Sequence, residues 1–205
     1  MPNKIKYGLK NCYYALCEIA ADGSATYQEP KAFPGAVSLS LSPQGENTPF
    51  YADNIVYWMG ASNTGYEGDL EIARVTDGFE TDVLGFIADD NNVVYEDANA
   101  QAIHFAFMFQ FEGDVKATRH VMYNCTATRP EVSGSTKEET IEPQTETVNL
   151  RATTIYVPEL DKDIVKAKTN ESTPDATYNA WFTEVYVPTA SQDGGQDDGQ
   201  DDGEG

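Results

Sequence analysis

The most regular alternation of apolar and polar positions in the chain runs through residues 101–128. In its first half the odd positions are all apolar: Ile103, Phe105, Phe107, Phe109 and Phe111. A period of two places such residues on one face of a β-strand. The sequence Glu-Gly-Asp at 112–114 is typical of a turn, and the alternation resumes beyond it. The pattern therefore predicts a long antiparallel hairpin with one strongly apolar face.

The length of the turn decides which residues of this hairpin face one another. A two-residue connection would place the phenylalanine row opposite His120 and Asn124. A three-residue connection would place it opposite apolar residues, namely Val115, Ala117, Val121 and Tyr123. Because a shift of one residue exchanges the two faces of a strand, the apolar pairing predicts the three-residue connection. Arg119 is the one residue that does not fit this register.

Shorter apolar runs between turn residues predict further strands. They cover residues 11–19, 35–42, 54–62, 68–75, 86–88, 93–95, 139–157 and 180–187. The turn at 63–65 is expected to join its two neighbouring strands into a second hairpin, and residues 43–48 to form a loop. Residues 158–174 are polar, with room for one helical turn.

One short helix is predicted over residues 76–84. Thr76 or Asp77 can cap its first turn, and Gly85 suits a left-handed exit. Together with about ten short strands, this predicts a mainly β fold with one short α-helix. The expected architecture is two packed antiparallel sheets, arranged as a β-sandwich or partly open barrel.

Charge divides the chain into two parts. The 205 residues carry a net charge of −21, and the last fifteen contain six acids and no base, so the remainder still carries −15. Residues 191–205 are rich in Asp, Gly and Gln and are predicted to be a disordered acidic tail after a β domain at 1–190. A strongly acidic domain argues against binding nucleic acid by counterion release. It would suit a surface past which DNA slides.

The residues that could act as nucleophiles, bases or metal ligands form no recognisable site. Cys12, Cys17 and Cys125 fit no zinc spacing, and no apolar segment has the length of a signal peptide or membrane span, so an intracellular protein with free thiols is expected. His104 and His120 are expected together on the mixed face of the hairpin, without a third metal ligand. Cys125 is expected on the opposite face, where neither imidazole can activate it. The sequence therefore predicts no catalytic, cofactor-binding or metal-binding residues and no enzymatic activity; a hydrolase using scattered carboxylates has the least support.

Several short segments carry a different signal. They are residues 8–15 (GLKNCYYA), 51–54 (YADN), 68–71 (GDLE), 83–85 (VLG), 109–114 (FQFEGD), 119–130 (RHVMYNCTATRP) and 181–182 (WF), with Val185 and Pro188. In this order they resemble the major tail proteins of bacteriophages with long, non-contractile tails. The resemblance extends from residue 1 to about residue 190.

The resemblance implies a tail-tube subunit with a β-sandwich-like fold and a flanking helix. Relatives form homohexameric rings that stack into a tube, through which DNA passes without specific binding. Implied partners are tail terminator, tape measure and distal tail proteins, without a membrane. The implied location is the virion tail, after assembly in the bacterial cytoplasm.

Three expectations accompany this hypothesis. Ring closure would satisfy the exposed strand edges of a small β protein. The basic N-terminal arm containing Lys4, Lys6 and Lys10 would dock on an acidic neighbour, and residues 44–51 would contact the next ring.

An alternative from another class is a monomeric acidic β-sandwich that binds a carbohydrate or a surface protein. Its candidate binding platform consists of aromatic residues, namely Tyr51, Tyr57, Trp58 and Tyr66.

Overall fold

The computed structural model describes residues 2–136 and 143–190. Within them the chain is mainly β, as predicted, and every strand pair is antiparallel. The strands are β1 (Lys6–Ile19), β2 (Ala25–Tyr27), β3 (Lys31–Ala32), β4 (Ala36–Gln44), β5 (Asn47–Ala52), β6 (Ile55–Ala61), β7 (Gly65–Ile72), β8 (Phe86–Ala88), β9 (Val94–Glu96), β10 (Phe105–Gly113), β11 (Thr118–Ala127), β12 (Glu146–Thr153), β13 (Ile155–Val157), β14 (Lys162–Ile164) and β15 (Lys166–Lys168). The helices are α1 (Asp77–Asp82) and α2 (Asp175–Ala180). The predicted disordered tail at 191–205 and the start of the strand predicted over 139–157 lie outside the described residues.

One large sheet organises the fold. Its strand order is β2-β1-β10-β11-β12-β7-β4, with β3 added beside β1 and β15 beside β11. Three two-stranded sheets accompany it: β5–β6, β8–β9 and β13–β14. Within the described ranges, neither helix has the length and apolar content needed to cross a membrane.

The first hydrophobic core lies between the two halves of the large sheet. Phenylalanines of β10 pack there with residues from β7, β12 and α1, among them Leu70, Ile72, Phe79, Val148 and Leu150. All of these side chains are almost completely buried. The half-sheets β1–β10–β11 and β12–β7–β4 therefore pack like the two layers of a β-sandwich.

A second core covers the other face of the central hairpin. Met108, Val121 and Tyr123 are buried there under Ile155 and Trp181. The face that was expected to be mixed is thus buried as well, because the C-terminal segment folds over it. Burial on both faces makes β10 and β11 the centre of the fold.

The predicted hairpin exists, but its predicted register is wrong. Phe107 faces Met122 and Phe109 faces His120, so odd positions pair with even ones along most of the ladder. An irregularity between Phe105 and Phe107 returns Phe105 to a position opposite Cys125.

The physical reason for this register is a longer turn filled by a remote side chain. Four residues, 114–117, separate the two strands. The side-chain oxygen of Asn3 accepts hydrogen bonds from the amides of Val115 (2.9 Å) and Lys116 (3.1 Å). Its amide nitrogen donates to the Lys116 carbonyl at 2.6 Å. The N-terminal segment thereby closes the turn.

The expectation of a second hairpin between residues 54–62 and 68–75 is wrong. β6 pairs with β5, whereas β7 pairs with β4 and β12. The residues expected to form a loop at 43–48 belong mostly to β4 and β5. β4 and β7 run side by side and continue directly into β5 and β6, so the two strand pairs form one extended ribbon.

The helices differ from the prediction in number. α1 is capped as predicted: the hydroxyl oxygen of Thr76 accepts from the Phe79 amide at 3.3 Å, and Gly85 has φ of 73°. The strand predicted at 180–187 is wrong, because α2 ends at Ala180 and turns follow it. Its apolar side chains cover the second core without pairing to a neighbouring strand.

Candidate assembly surface

The residues with catalytic or metal-binding chemistry do not come together. Nδ1 of His104 lies 2.7 Å from Oδ1 of Asn124. His120 stacks on Phe109, with ring centroids 4.9 Å apart and planes 3° apart, so its expected place on the mixed face is wrong. Cys125 is buried among the phenylalanines, and burial raises the pKa of its thiol. The described parts of the chain contain no group of three or more potential metal ligands.

Arg119, which did not fit the predicted register, has a structural role. Its guanidinium lies 3.8 Å from the ring centre of Tyr178 and 5.0 Å from that of Phe182. Its Nε donates to the side-chain oxygen of Gln110 at 3.2 Å, and its Nη1 donates to the Tyr178 carbonyl. Arg119 therefore attaches the C-terminal helix region to the central hairpin through stacking and hydrogen bonds.

The basic N-terminal arm contacts its own chain. The Lys4 amide donates to Asp114 at 2.8 Å, and Lys10 pairs with Glu112 at 2.5 Å. These contacts hold the arm along the edge of the central hairpin. They account for the conformation of the arm without a neighbouring copy.

The most unusual surface is the β5–β6 hairpin, residues 47–61, called the apolar arm below. Seven large apolar side chains on it are between 46% and 70% exposed: Phe50, Tyr51, Ile55, Val56, Tyr57, Trp58 and Met59. Because neighbouring positions on a strand point to opposite faces, both faces of the arm are apolar. Exposed apolar surface of this extent is typical of a site for protein–protein contact.

The base of the arm is built for close approach of its two strands. The Ser62 amide donates to the Glu46 carbonyl and the Thr64 amide to the Gln44 carbonyl, each at 3.0 Å. Gly45 has φ of 154°, and a side-chain carbon there would lie 2.0 Å from the Ser62 carbonyl oxygen. Only glycine fits this position.

Within the described chain the arm pairs only with itself. A two-stranded hairpin without a packing partner is marginally stable in water. The arm therefore has both the apolar surface and the energetic need for a partner.

A second distinctive surface is the outer side of β4, β7 and β12, called the acidic face below. Three carboxylates alternate along β7 at Glu67, Asp69 and Glu71, while Leu70 and Ile72 point into the first core. Polar residues flank this row on the neighbouring strands: Ser38, Ser40, Ser42, Thr147, Asn149 and Arg151. The face has no large apolar side chain among these positions.

Hydrogen bonds support the charged form of one of these carboxylates. Thr145 donates to Glu71 at 2.7 Å and Ser38 donates to it at 2.9 Å. These bonds lower the pKa of Glu71 from its ordinary value. Glu71 therefore stays negatively charged at neutral pH.

Sequence reasoning found part of these surfaces. The segment 44–51 chosen as a contact overlaps the arm, and three of the four aromatic residues chosen as a platform lie on it. Tyr66 does not join them, because it is partly buried beneath Lys166. The acidic face was missed, although the alternation of carboxylates at 67, 69 and 71 was a visible signal for it.

Comparison with known protein families identifies a match. A family model described as phage tail tube protein matches residues 2–190, which include the whole apolar arm and the whole acidic face. No curated protein sequence matches the chain.

Proposed function

We infer that this chain, which belongs to the phage tail tube protein family and is a structural component of a phage tail, assembles into stacked hexameric rings. The rings form a tube through which DNA passes. The apolar arm is the observation that carries this proposal. Both faces of the arm are apolar and exposed, so both are removed from water only when other subunits pack against them.

In the proposed tube the arm makes the contact between successive rings. It extends beyond the large sheet as a continuation of β4 and β7, so it can reach a neighbouring subunit while the body keeps its own core. Burial of its apolar side chains would stabilise the contact by about 25 cal/mol for each Å² removed from water. The proposed contact surface is therefore the whole arm, residues 47–61, and not only the segment 44–51 that was expected from the sequence.

We propose that the acidic face lines the channel. Carboxylates repel the phosphate backbone, and a polar, hydrated surface has no apolar side chains that DNA bases could contact. Six copies of Glu67, Asp69 and Glu71 would surround the DNA with rings of like charge. DNA would then pass without being bound.

The remaining parts of the proposal concern the setting of the assembly. The tube would be built in the bacterial cytoplasm and would contact tail terminator, tape measure and distal tail proteins at its ends or inside it. The role is structural, with no catalytic step.

The assembly proposal is tested by removing two apolar side chains from the arm, with Tyr57→Ser and Trp58→Ser combined. We expect the wild-type protein to form rings or tubes in negative-stain electron microscopy at high concentration, and the variant to stay monomeric. Both side chains are more than 60% exposed, so the melting temperature of the subunit should not fall.

Val132→Ser is the matched control, because Val132 is 99% exposed and lies outside the arm. It should leave assembly unchanged. A wild-type protein that stays monomeric under these conditions, or an arm variant that assembles normally, would contradict the proposal.

The monomeric binding module remains the second candidate, because Tyr51, Tyr57 and Trp58 are exposed together on the arm. Aromatic side chains of this kind can stack on sugar rings. Two results together would favour this candidate over the tube. The wild-type protein would bind glycans without self-assembling, and the same arm variant would lose this binding.

A further inference from the structure

The subunit has two ends that carry different surfaces. β4 begins beside Ile72, which precedes α1, and runs to Gln44 at the base of the arm. The ring of Phe79 in α1 lies 5.6 Å from that of Phe105 at the start of β10, whereas the β10–β11 turn lies at the opposite end of that strand. We call the end with α1 the helix end and the end with the β10–β11 turn and the arm the turn end.

A cleft of about 330 Å³ opens at the turn end. Its walls combine apolar and aromatic side chains with one histidine: Leu39, Leu41, Tyr66, Phe109, Phe111 and His120. Two lysines also line the cleft, with Nζ of Lys6 lying 4.5 Å from the ring centre of Phe111 and Nζ of Lys166 lying 4.2 Å from that of Tyr66. A third lysine, Lys168, pairs with His120 across the β11–β15 ladder.

These lysines give the cleft a positive charge that is unusual in so acidic a chain. Across residues 2–136 and 143–190, no carboxylate forms an ion pair with Lys6, Lys166 or Lys168. The pKa of His120 is lowered by burial and then by these same three ammonium groups, which reflects the positive field. A ligand that fits the cleft would carry a carboxylate on an apolar body.

The helix end presents a segment with this chemistry. Residues 86–96, called the acidic hairpin below, consist of β8, a turn and β9. Ile87 faces Tyr95 across the ladder, and Val93 lies on the same side of the hairpin, with all three between 42% and 59% exposed.

The turn of the acidic hairpin supplies the carboxylates. Asp89 accepts hydrogen bonds from the amides of Asn91 and Val93, each at 2.8 Å, and these bonds shape the turn. Asp90 is exposed beside it. The ion pair between Glu96 and Arg129 connects the hairpin to the end of β11.

We propose that the cleft of one copy binds the acidic hairpin of the next copy in a head-to-tail stack. This contact rests on the proposed function, because it requires subunits to stack. The arm and the cleft lie at the same end of the subunit, so a copy stacked in the same direction presents its helix end to the cleft. A head-to-tail contact of this kind repeats without closing and gives the tube a direction.

Charge reversal tests the contact from both sides. Lys166→Glu alone and Asp90→Lys alone should each raise the protein concentration needed for tube formation several-fold, measured by light scattering and electron microscopy. The two substitutions combined should restore assembly, because the opposite charges meet again. Lys162→Glu, in β14 away from the cleft, is the matched control and should leave the threshold unchanged.

A cross-linking experiment keeps the proposal testable if the charge-reversed variants fail to fold. The three native cysteines are buried, so mild oxidation of the wild type should give no linked species. The combined variant Lys166→Cys and Asp90→Cys should give a ladder of disulfide-linked multimers, whereas each single variant should give no ladder.

The outcomes separate this inference from the proposed function. Tubes that form normally in both single charge variants, or a combined cysteine variant without a ladder, would overturn the contact while leaving the tube intact. One further outcome would overturn the proposal. If truncation after residue 190 raises the threshold concentration and Asp90→Lys does not, the acidic tail binds in the cleft instead of the acidic hairpin. A wild-type protein that never assembles would overturn both.

Discussion

At the scale of single residues, side chains that suggest chemistry serve to hold the structure together. The His120 ring stacks on that of Phe109 and meets that of Phe111 edge-on, with centroid distances of 4.9 and 5.6 Å, and Lys6 and Lys166 line the same cleft. Arg119 stacks on aromatic rings that lie about sixty positions away in the chain. No local pattern could have predicted the partners of Arg119, because Tyr178 and Phe182 are brought in by tertiary packing of the C-terminal segment.

His120 makes the stability of the subunit depend on pH. Burial, followed by Lys168, Lys166 and Lys6, lowers its pKa from 6.5 to about 4. Between these two pH values the unfolded chain binds a proton that the folded chain does not, so the free energy of unfolding decreases as the pH falls. We expect His120→Gln to remove a pH dependence of up to about 3 kcal/mol across this window.

The measurement is urea denaturation of both proteins at several pH values between 4 and 6.5. Carboxylates titrate in the same range, so the difference between the two curves is the informative quantity. His104→Gln is the control, because it removes the other histidine of the chain, which is exposed. Parallel curves for the wild type and His120→Gln would show that the imidazole titrates as freely as in the unfolded chain.

At the scale of elements, periodicity predicted the central hairpin but could not set its register. A strict period of two over five odd positions is a strong signal for a strand. The turn that sets the pairing is closed by Asn3, which lies more than 100 positions away in sequence. A register chosen from the apolar partners of the phenylalanines alone is therefore wrong by three residues: it places Phe111 opposite Val115, whereas Phe111 faces Thr118.

Two other elements show the same limit. Pro43 and Gly45 before the apolar arm and Pro49 within it are typical of loops, yet pairing with β6 and β7 keeps this segment extended. The alternation at 180–187 is typical of a strand. No sheet edge pairs with it in the described structure, so its apolar residues cover the second core through α2 and turns.

The turn of the central hairpin is expected to depend on Asn3. Asn3→Ala would remove the acceptor for two amides and the donor to one carbonyl, at a cost of about 1–3 kcal/mol in the free energy of unfolding. Thermal denaturation would show this as a lower melting temperature. Asn3→Asp keeps the acceptor and should lose less stability. Equal stability of wild type and Asn3→Ala would mean that the turn holds its geometry without the N-terminal segment.

At the scale of the whole molecule, the subunit separates stability from assembly. Two buried cores hold the large sheet, and the surfaces proposed to bind neighbouring copies lie at its margins, namely the arm, the cleft and the acidic hairpin. The acidic face is polar and needs no partner, which suits a surface that stays in contact with water. This division allows a subunit to be stable before assembly and still bury a large apolar area within a tube.

The assignment of the acidic face to the channel predicts a pattern of chemical access. Asp69→Cys places a thiol at the centre of the face, and Glu159→Cys places one at an exposed site outside it. In the free subunit both should react with a maleimide carried on a long polyethylene glycol chain. In assembled tubes Asp69→Cys should be protected from this bulky reagent, while Glu159→Cys should react as before.

A small maleimide distinguishes a channel from a buried interface. If the acidic face lines a water-filled channel, Asp69→Cys in tubes reacts with the small reagent although it resists the bulky one. Protection from both reagents would place the face between subunits, and equal reaction with both would place it on the outside of the tube. The native thiols give little background, because burial raises the pKa of Cys12 and Cys17 to about 12 and also raises that of Cys125. The size dependence of labelling therefore decides where the negative charge of this subunit lies relative to the DNA.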